Sequence, residues 1–240
     1  MNDYVKRTII KEEVASSILQ LNRSCKVYLP PGYNELLSYP VIYCQDGNEF
    51  FTMGRVATIA NQLILEEDIQ PMIIVGVSVD RSRRTSEYSA TGELNSQYKR
   101  FFMEELIPYM EAHYPIRSNK ESRVIAGDSL GGTVSLHLTL DHPEVFTNLI
   151  SLSGAFFQPS LDRIQQEQDL SWLNMWMVVG LDETEVETSI GTFDFVDLNR
   201  RAKSTLEQAN VRLDYRERTG RHVWGLWQSQ LPNAIRHFFA

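Results

Sequence analysis

Cysteine is almost absent: the 240 residues hold two, Cys25 and Cys44. Two thiols make neither a disulfide framework nor a four-cysteine zinc site, and both are expected in strands as small buried hydrophobes. Basic charge is also short, with 23 Lys and Arg against 31 Asp and Glu and a net charge of −8. Nucleic-acid and anionic-membrane partners, which need a basic patch, are therefore not expected. No apolar run approaches the roughly 20 residues of a membrane-spanning helix. The stretch Met1–Arg7 leads into mixed polar sequence with no apolar h-region, so the reducing cytoplasm is the expected compartment. There is no internal repeat, no low-complexity tract and no metal-ligand spacing. Oligomeric state has no signature.

What remains is a composition suited to a folded domain: 42% hydrophobic and 22% charged residues, which argues for a sizeable core and one domain over residues 1–240. Short β-rich runs alternate with longer helical ones. Val5–Val14 and Leu19–Leu29 come first, with no helix between them, and Pro30-Pro31-Gly32 ends the second; they read as an antiparallel hairpin at a sheet edge. Val41–Cys44, Met72–Val79, Arg123–Ala126, Leu149–Ser153, Leu173–Val179 and Val211–Arg216 read as further strands. Helical spacing marks Val56–Ile64, Ser96–Tyr114, Leu130–Leu140, Leu198–Ala209 and Trp224–Phe239. Strand–helix alternation predicts a doubly wound, mostly parallel α/β sheet with helices on both faces. Such sheets carry their chemistry in loops past the carboxyl ends of the strands.

One of those loops reads Gly127-Asp128-Ser129-Leu130-Gly131-Gly132. The spacing G-x-S-x-G between a strand and a helix is that of the α/β-hydrolase nucleophile elbow. A reversal within about one residue strains the backbone at Ser129, and glycines two places either side remove colliding side chains. With 20 serines and 13 glycines in the chain, the spacing is expected by chance only ~0.06 times. A phosphate loop would want Lys where Thr133 stands. A serine nucleophile needs a base. His113, His137, His142 and His237 fall within or at the ends of helices, whereas His222 follows the last strand in Thr219-Gly220-Arg221-His222-Val223-Trp224. The base needs a carboxylate, and the loop after Leu173–Val179 offers Asp182 and Glu183, which periodicity does not separate. Glu185 and Glu187 read as solvated charge. The order Ser, acid, His is the hydrolase order.

Together with Val27-Tyr28-Leu29-Pro30-Pro31-Gly32-Tyr33, Gln45-Asp46-Gly47-Asn48, His142-Pro143-Glu144-Val145-Phe146 and Gly180-Leu181-Asp182-Glu183, these motifs resemble the putative-esterase family of α/β hydrolases over nearly the whole chain. That family includes esterase D, feruloyl esterases and siderophore trilactone esterases. The resemblance implies an α/β-hydrolase fold and a serine esterase working through an acyl-enzyme without a cofactor, on a small-molecule ester such as a siderophore lactone or another intracellular ester. It selects Glu183, three residues after the strand-end glycine, and implies an oxyanion hole from the N–H groups of Leu130 and Asn48. Asp46 is left as a brace for its loop. Arg221 stands where many relatives have glycine, a place from which it would reshape the pocket or touch substrate, and no extended lid insertion is evident. Phe50, Phe51, Phe156, Phe157, Trp224 and Trp227 fall in strand-end loops as pocket or packing residues, and Arg81, Arg83 and Arg84 as a cationic mouth or a solvated loop. An acyltransferase with the same triad, or a binding protein on a hydrolase scaffold, are the alternatives.

Overall fold

Strands of near-continuous apolar sequence form the centre of the molecule. The structure, a computed structural model, describes residues 7–240. Residues 5 and 6 of the expected first strand lie outside that range. β1 (Thr8–Ser16) and β2 (Leu21–Leu29) form the antiparallel edge hairpin. β3 (Val41–Cys44), β4 (Ile73–Val77), β5 (Arg123–Asp128), β6 (Asn148–Leu152) and β7 (Asn174–Gly180) follow. The last strand of the sheet is β10 (Arg212–Arg218), and the spatial order is β1-β2-β4-β3-β5-β6-β7-β10. β2 meets β4 antiparallel, and every pairing from β4 to β10 is parallel. This is the expected doubly wound α/β-hydrolase sheet.

Burial on both faces explains why the central strands lack a polar alternation. Along β3, Val41 and Tyr43 join one apolar cluster while Ile42 and Cys44 join the other. The second cluster is covered by α1 (Gly47–Thr52), α2 (Val56–Glu67) and α9 (Trp224–Phe239). The first is covered mainly by α4 (Asn95–Phe101), which continues through a π-helical turn at Phe102–Leu106 into α5 (Ile107–His113), and by α6 (Leu130–Asp141). α7 (Gln158–Gln165) and α8 (Phe195–Gln208) complete that layer. Both cysteines are buried and free. Among the described residues no helix is long and apolar enough to cross a membrane.

Two features depart from the sequence expectation. The arginine-rich stretch after β4 is a helix, α3 (Arg81–Tyr88), capped by Asp80, whose carboxylate accepts from the Ser82 N–H at 2.8 Å. The acidic stretch after β7, expected to be solvated charge, contains a small antiparallel hairpin of β8 (Val186–Thr188) and β9 (Gly191–Phe193). It forms a sheet of its own, and its residues 187–190 line the cavity described below.

Candidate active site

The carboxyl ends of β5, β6, β7 and β10 lie in register at one rim, with Asp128 beside Leu152, Leu152 beside Val178 and Gly180 beside Arg218. At the end of β5 the chain turns directly into α6, and Ser129 takes up φ 52° and ψ −120°. That conformation is uncommon for a side-chain-bearing residue and persists only where the surroundings enforce it. Here they do. A Cβ on Gly127 would stand 2.1 Å from the backbone of Gly131, so no side chain fits at that position. The Ser129 N–H donates to Leu152 O at 2.9 Å and its carbonyl accepts from the Ala155 N–H at 3.0 Å, which locks the elbow to the neighbouring strand end.

The turn after β7 brings a carboxylate to the same rim. Glu183 folds back on Gly180, whose N–H donates to Oε1 at 2.8 Å. A Cβ at Gly180 would lie 2.7 Å from that same oxygen and 2.3 Å from Gly220 O, so the fold-back needs glycine there. Oε1 also accepts from Ser153 Oγ at 2.7 Å, and Ser153 Oγ in turn accepts from Trp227 Nε1 at 2.9 Å. Oε2 stands 2.6 Å from His222 Nδ1. A carboxylate accepts, so Nδ1 carries the proton and Nε2 presents its lone pair. Glu183 is wholly buried, and the His222 side chain is 15% exposed. The ring is held between Phe195, at 4.2 Å between centroids, and Trp227, at 4.9 Å.

Ser129 and His222 both line a cavity of about 350 Å³. They form no hydrogen bond with each other; such bonds commonly close only with substrate in place. Asp182 is exposed, and its backbone N–H is tied to Gly220 O at 3.0 Å. Of the two acids the sequence left open, Glu183 is the one that meets the histidine. The remaining histidines are engaged elsewhere, His137 with Ser160 Oγ and His237 with Asn174.

The two expected oxyanion donors sit differently. Leu130, first residue of α6, lines the cavity, and its N–H has no hydrogen-bond partner among the described residues. The Asn48 N–H, in the first turn of α1, is likewise unpaired there. The Asn48 side chain, however, is exposed and accepts from Lys26 Nζ at 2.8 Å; its neighbours Asp46 and Glu49 line the cavity and it does not.

Sequence reasoning offered Asp46 as a loop brace and Arg84 at the mouth, but not the ion pair that joins them on the wall of this cavity. Arg84 reaches in from α3 and grips the Asp46 carboxylate with Nε and Nη2 at 2.7 and 2.8 Å. The same Nη2 donates to Asp128 O at 3.2 Å, so one guanidinium ties the Asp46 loop to the elbow. Burial works against its charge, but the Asp46 carboxylate, by charge and by hydrogen bond, more than offsets that. Asp128 stands 3.8 Å from Arg84 through Oδ2, and its Oδ1 has no partner. Burial first, and the Asp46 charge second, hold its carboxyl well above the usual carboxylate range. The other arginines separate: Arg83 pairs with buried Glu87 at 2.8 Å, and Arg81 lies exposed on the cavity wall with no ion pair among the described residues. Arg221 is exposed and does not line the cavity. Phe50 and Phe156 are core residues, whereas Phe157, Trp224 and Trp227 line the cavity. Glu187, exposed as the sequence reading expected, also lines the cavity through the β8–β9 hairpin. Among the described residues no three His, Cys, Asp or Glu side chains gather as a metal site requires.

Residues 16–238 match the family described as Putative esterase. The chain is 34% identical over 231 residues to the Uncharacterized protein YjcH of Bacillus subtilis (strain 168), covering 95% of this chain and 96% of that one. A solved ferulic acid esterase superposes with a TM-score of 0.79 at 20% identity, over 96% of this chain and 99% of that one. The enterobactin esterase FES from Shigella flexneri, solved in the presence of enterobactin, gives a TM-score of 0.82 at 18% identity, over 96% of this chain and 59% of the other.

Proposed function

The chain belongs to the putative-esterase family and is a carboxylic ester hydrolase, and from that footing we propose that it works through an acyl-enzyme formed on Ser129. The observation that carries the reading is the 2.6 Å contact between Glu183 Oε2 and His222 Nδ1, beside a cavity that His222 shares with the strained Ser129. His222 Nε2 takes the Ser129 proton while Oγ bonds to the ester carbonyl carbon. The oxyanion is held by the N–H groups of Leu130 and Asn48, a contribution of about 3 kcal/mol per donor in the transition state. The tetrahedral centre collapses, the bond to the alcohol oxygen breaks, and that oxygen takes the proton from Nε2. Water then gives a proton to Nε2 and its oxygen to the acyl carbon; the bond to Oγ breaks, Oγ recovers the proton and the acid leaves. Arg84 is a positioning residue that holds the oxyanion loop against the elbow.

The substrate we infer is a small-molecule ester. The proteins named feruloyl and enterobactin esterases suggest an aromatic acid or a catecholate lactone. One exposed cation, Arg81, supports an anionic substrate, while Glu49 and Glu187 on the same walls oppose a highly charged one. The test is a hydrolysis panel of p-nitrophenyl, feruloyl, S-formylglutathione and catecholate-trilactone esters, run on the wild type and on Ser129→Ala. Turnover of at least one member should fall by 10³-fold or more in the variant (on the order of what single triad deletions cost), and a fluorophosphonate should label Ser129 in the wild type. Unchanged turnover in Ser129→Ala would overturn the mechanism.

A further inference from the structure

Glu183, Ser153, Trp227 and His222 come from four separate elements and close a ring of contacts. Glu183, in the turn after β7, stands 2.6 Å from His222 Nδ1. Ser153, just past the end of β6, donates from Oγ to Glu183 Oε1 at 2.7 Å. Trp227, in the first turns of α9, donates from Nε1 to Ser153 Oγ at 2.9 Å. The Trp227 and His222 rings then meet at 86° with centroids 4.9 Å apart, which completes the circuit. Ser153, Glu183 and Trp227 are buried.

The hydroxyl in this ring has one direction open to it. An indole N–H only donates and a carboxylate only accepts, so Ser153 Oγ takes the indole proton and points its own at Oε1. Oε1 is then pinned between two donors, the Gly180 N–H of its own turn at 2.8 Å and Ser153 Oγ of the neighbouring strand end. One donor would already satisfy the buried oxygen. The carboxyl torsion of a glutamate is a soft, roughly two-fold rotor, and a second donor from another element stops it turning and keeps Oε2 toward Nδ1. Ser153 makes this contact from a left-handed backbone, φ 48°, which suits glycine better than any residue with a side chain. Its N–H is tied to Val178 O at 2.7 Å.

We propose that Ser153 and Trp227 are positioning residues for ester hydrolysis: Ser153 holds the Glu183 carboxylate in the rotation that serves His222, and Trp227 fixes the Ser153 hydroxyl while its ring steadies the imidazole. The inference rests on the Ser129–His222–Glu183 mechanism. Neither residue touches the reacting atoms through these bonds. With Oε2 already aimed at Nδ1, the imidazolium forms against a carboxylate that does not reorganise. Without the Ser153 hydroxyl the carboxylate turns away for part of the time. In those states Nδ1–H has no acceptor, and Nε2 loses its fixed aim at Ser129. Ser153 does not line the substrate cavity, so the loss falls on kcat and spares KM.

The test compares Ser153→Ala, Ser153→Gly and Trp227→Phe in the full chain. Both Ser153 variants lack the hydroxyl, but glycine relaxes the left-handed backbone and alanine does not, so Ser153→Gly should melt above Ser153→Ala. On a p-nitrophenyl ester both should nonetheless lose about tenfold or more in kcat, with KM within about threefold of wild type. Trp227→Phe keeps a ring beside His222 and loses only the N–H, and its kcat should fall less. The Nδ1 proton shared with Glu183 gives a downfield proton resonance, identified by its absence in His222→Gln. It should be sharp in the wild type and broadened or lost in both Ser153 variants. A loss of kcat in Ser153→Ala that Ser153→Gly restores would assign the effect to the backbone and overturn the proposal. So would a lowered kcat with the resonance unmoved, or wild-type kcat in both variants, and in that last case the Ser129 mechanism stands. Trp227→Phe at wild-type kcat would remove the indole from the proposal. Wild-type turnover in Ser129→Ala is the separate result that sinks the mechanism, and the positioning role with it.

Discussion

Glu183→Gln is the substitution with the most calculable consequence. Oε1 accepts from two donors, the Gly180 N–H and Ser153 Oγ. A glutamine can keep both only by placing its amide oxygen there, which turns its NH2 toward His222 Nδ1. Nδ1 must then accept, the ring proton moves to Nε2, and Nε2 has no lone pair for the Ser129 proton. Flipping the amide restores the useful tautomer but sets the NH2 against the buried Gly180 N–H. Leaving such a donor unpaired costs about 1–3 kcal/mol, a population penalty of roughly 5- to 150-fold. The substitution also removes the negative charge facing the imidazolium formed in the transition state. At about 4 Å and an effective dielectric near 20, that charge contributes about 4 kcal/mol, or roughly 10³-fold. A combined loss of about 10⁴-fold in kcat follows, the size reported for a tautomer-reversing substitution in serine proteases. The assay is steady-state hydrolysis of an activated ester, with circular dichroism showing that the variant is folded. Asp182→Asn should stay within about twofold, as expected of an exposed side chain with no bond to His222. A folded Glu183→Gln enzyme within tenfold of wild type would refute the reasoning.

Other groups make separate predictions. Arg84→Lys replaces a planar fork by a point charge that does not hold both Asp46 oxygens and Asp128 O together; kcat should fall about tenfold while KM changes by less than about threefold, and equal changes in both would argue against a positioning role. Burial first and the Asp46 charge second raise the Asp128 carboxyl above its ordinary value in the folded state, whereas the unfolded chain releases its proton near that ordinary value, about 3.9. The unfolded state then binds fewer protons, so this group's penalty grows as pH rises above about 4. Asp128→Asn should therefore raise the melting temperature at pH 8 relative to wild type and leave it unchanged at pH 4. His137 runs the other way. Burial, helped by Lys99 and Arg163 and opposed by Asp141, lowers its pKa to about 4, while the unfolded value is about 6.5. The unfolded state binds the extra proton between those values, so stability should fall by up to about 3 kcal/mol as pH drops from 6.5 to 4. Urea midpoints should show that slope in the wild type and a flatter one in His137→Gln.

Much of the fold was legible because the parallel strands are buried on both faces. Val41–Cys44 and the run around Ile73–Val77 carry almost no polar residue to obscure them. The hairpin edge was legible from the lack of a helix between its strands. α3 was not, since Arg81, Arg83 and Arg84 read as a cationic mouth or a solvated loop, and it is the pairings of buried Glu87 with Arg23 and Arg83, and of Arg84 with Asp46, that draw the helix onto the fold. The β8–β9 hairpin has three residues per strand and glutamates in its sequence, too short for an alternation to register. At the site, Ser129 and His222 stood out by motif and loop position. Asp182 and Glu183 are adjacent, and what separates them is the fold-back on Gly180, a three-dimensional fact. Ser153 reaches Glu183 across 30 residues of sequence and Trp227 reaches Ser153 across 74, and no spacing rule links such partners.

The distribution of these residues over the fold also separates the chemistry from the choice of substrate. Ser129, Ser153 and Glu183 sit at strand ends, where ladder bonds from β6 and β7 and the Ser153 N–H to Val178 O bond at 2.7 Å fix their backbones. A shift of one of them would have to move the sheet. The walls come from elements with few such ties. The β8–β9 hairpin pairs only with itself, and its link to α3 is the Ser189–Thr85 hydroxyl pair at 3.4 Å. Substitutions in the hairpin can therefore reshape the cavity without disturbing the strand ends. On the proposed mechanism the strand ends would carry the reaction, and the hairpin walls would set the fit to the ester.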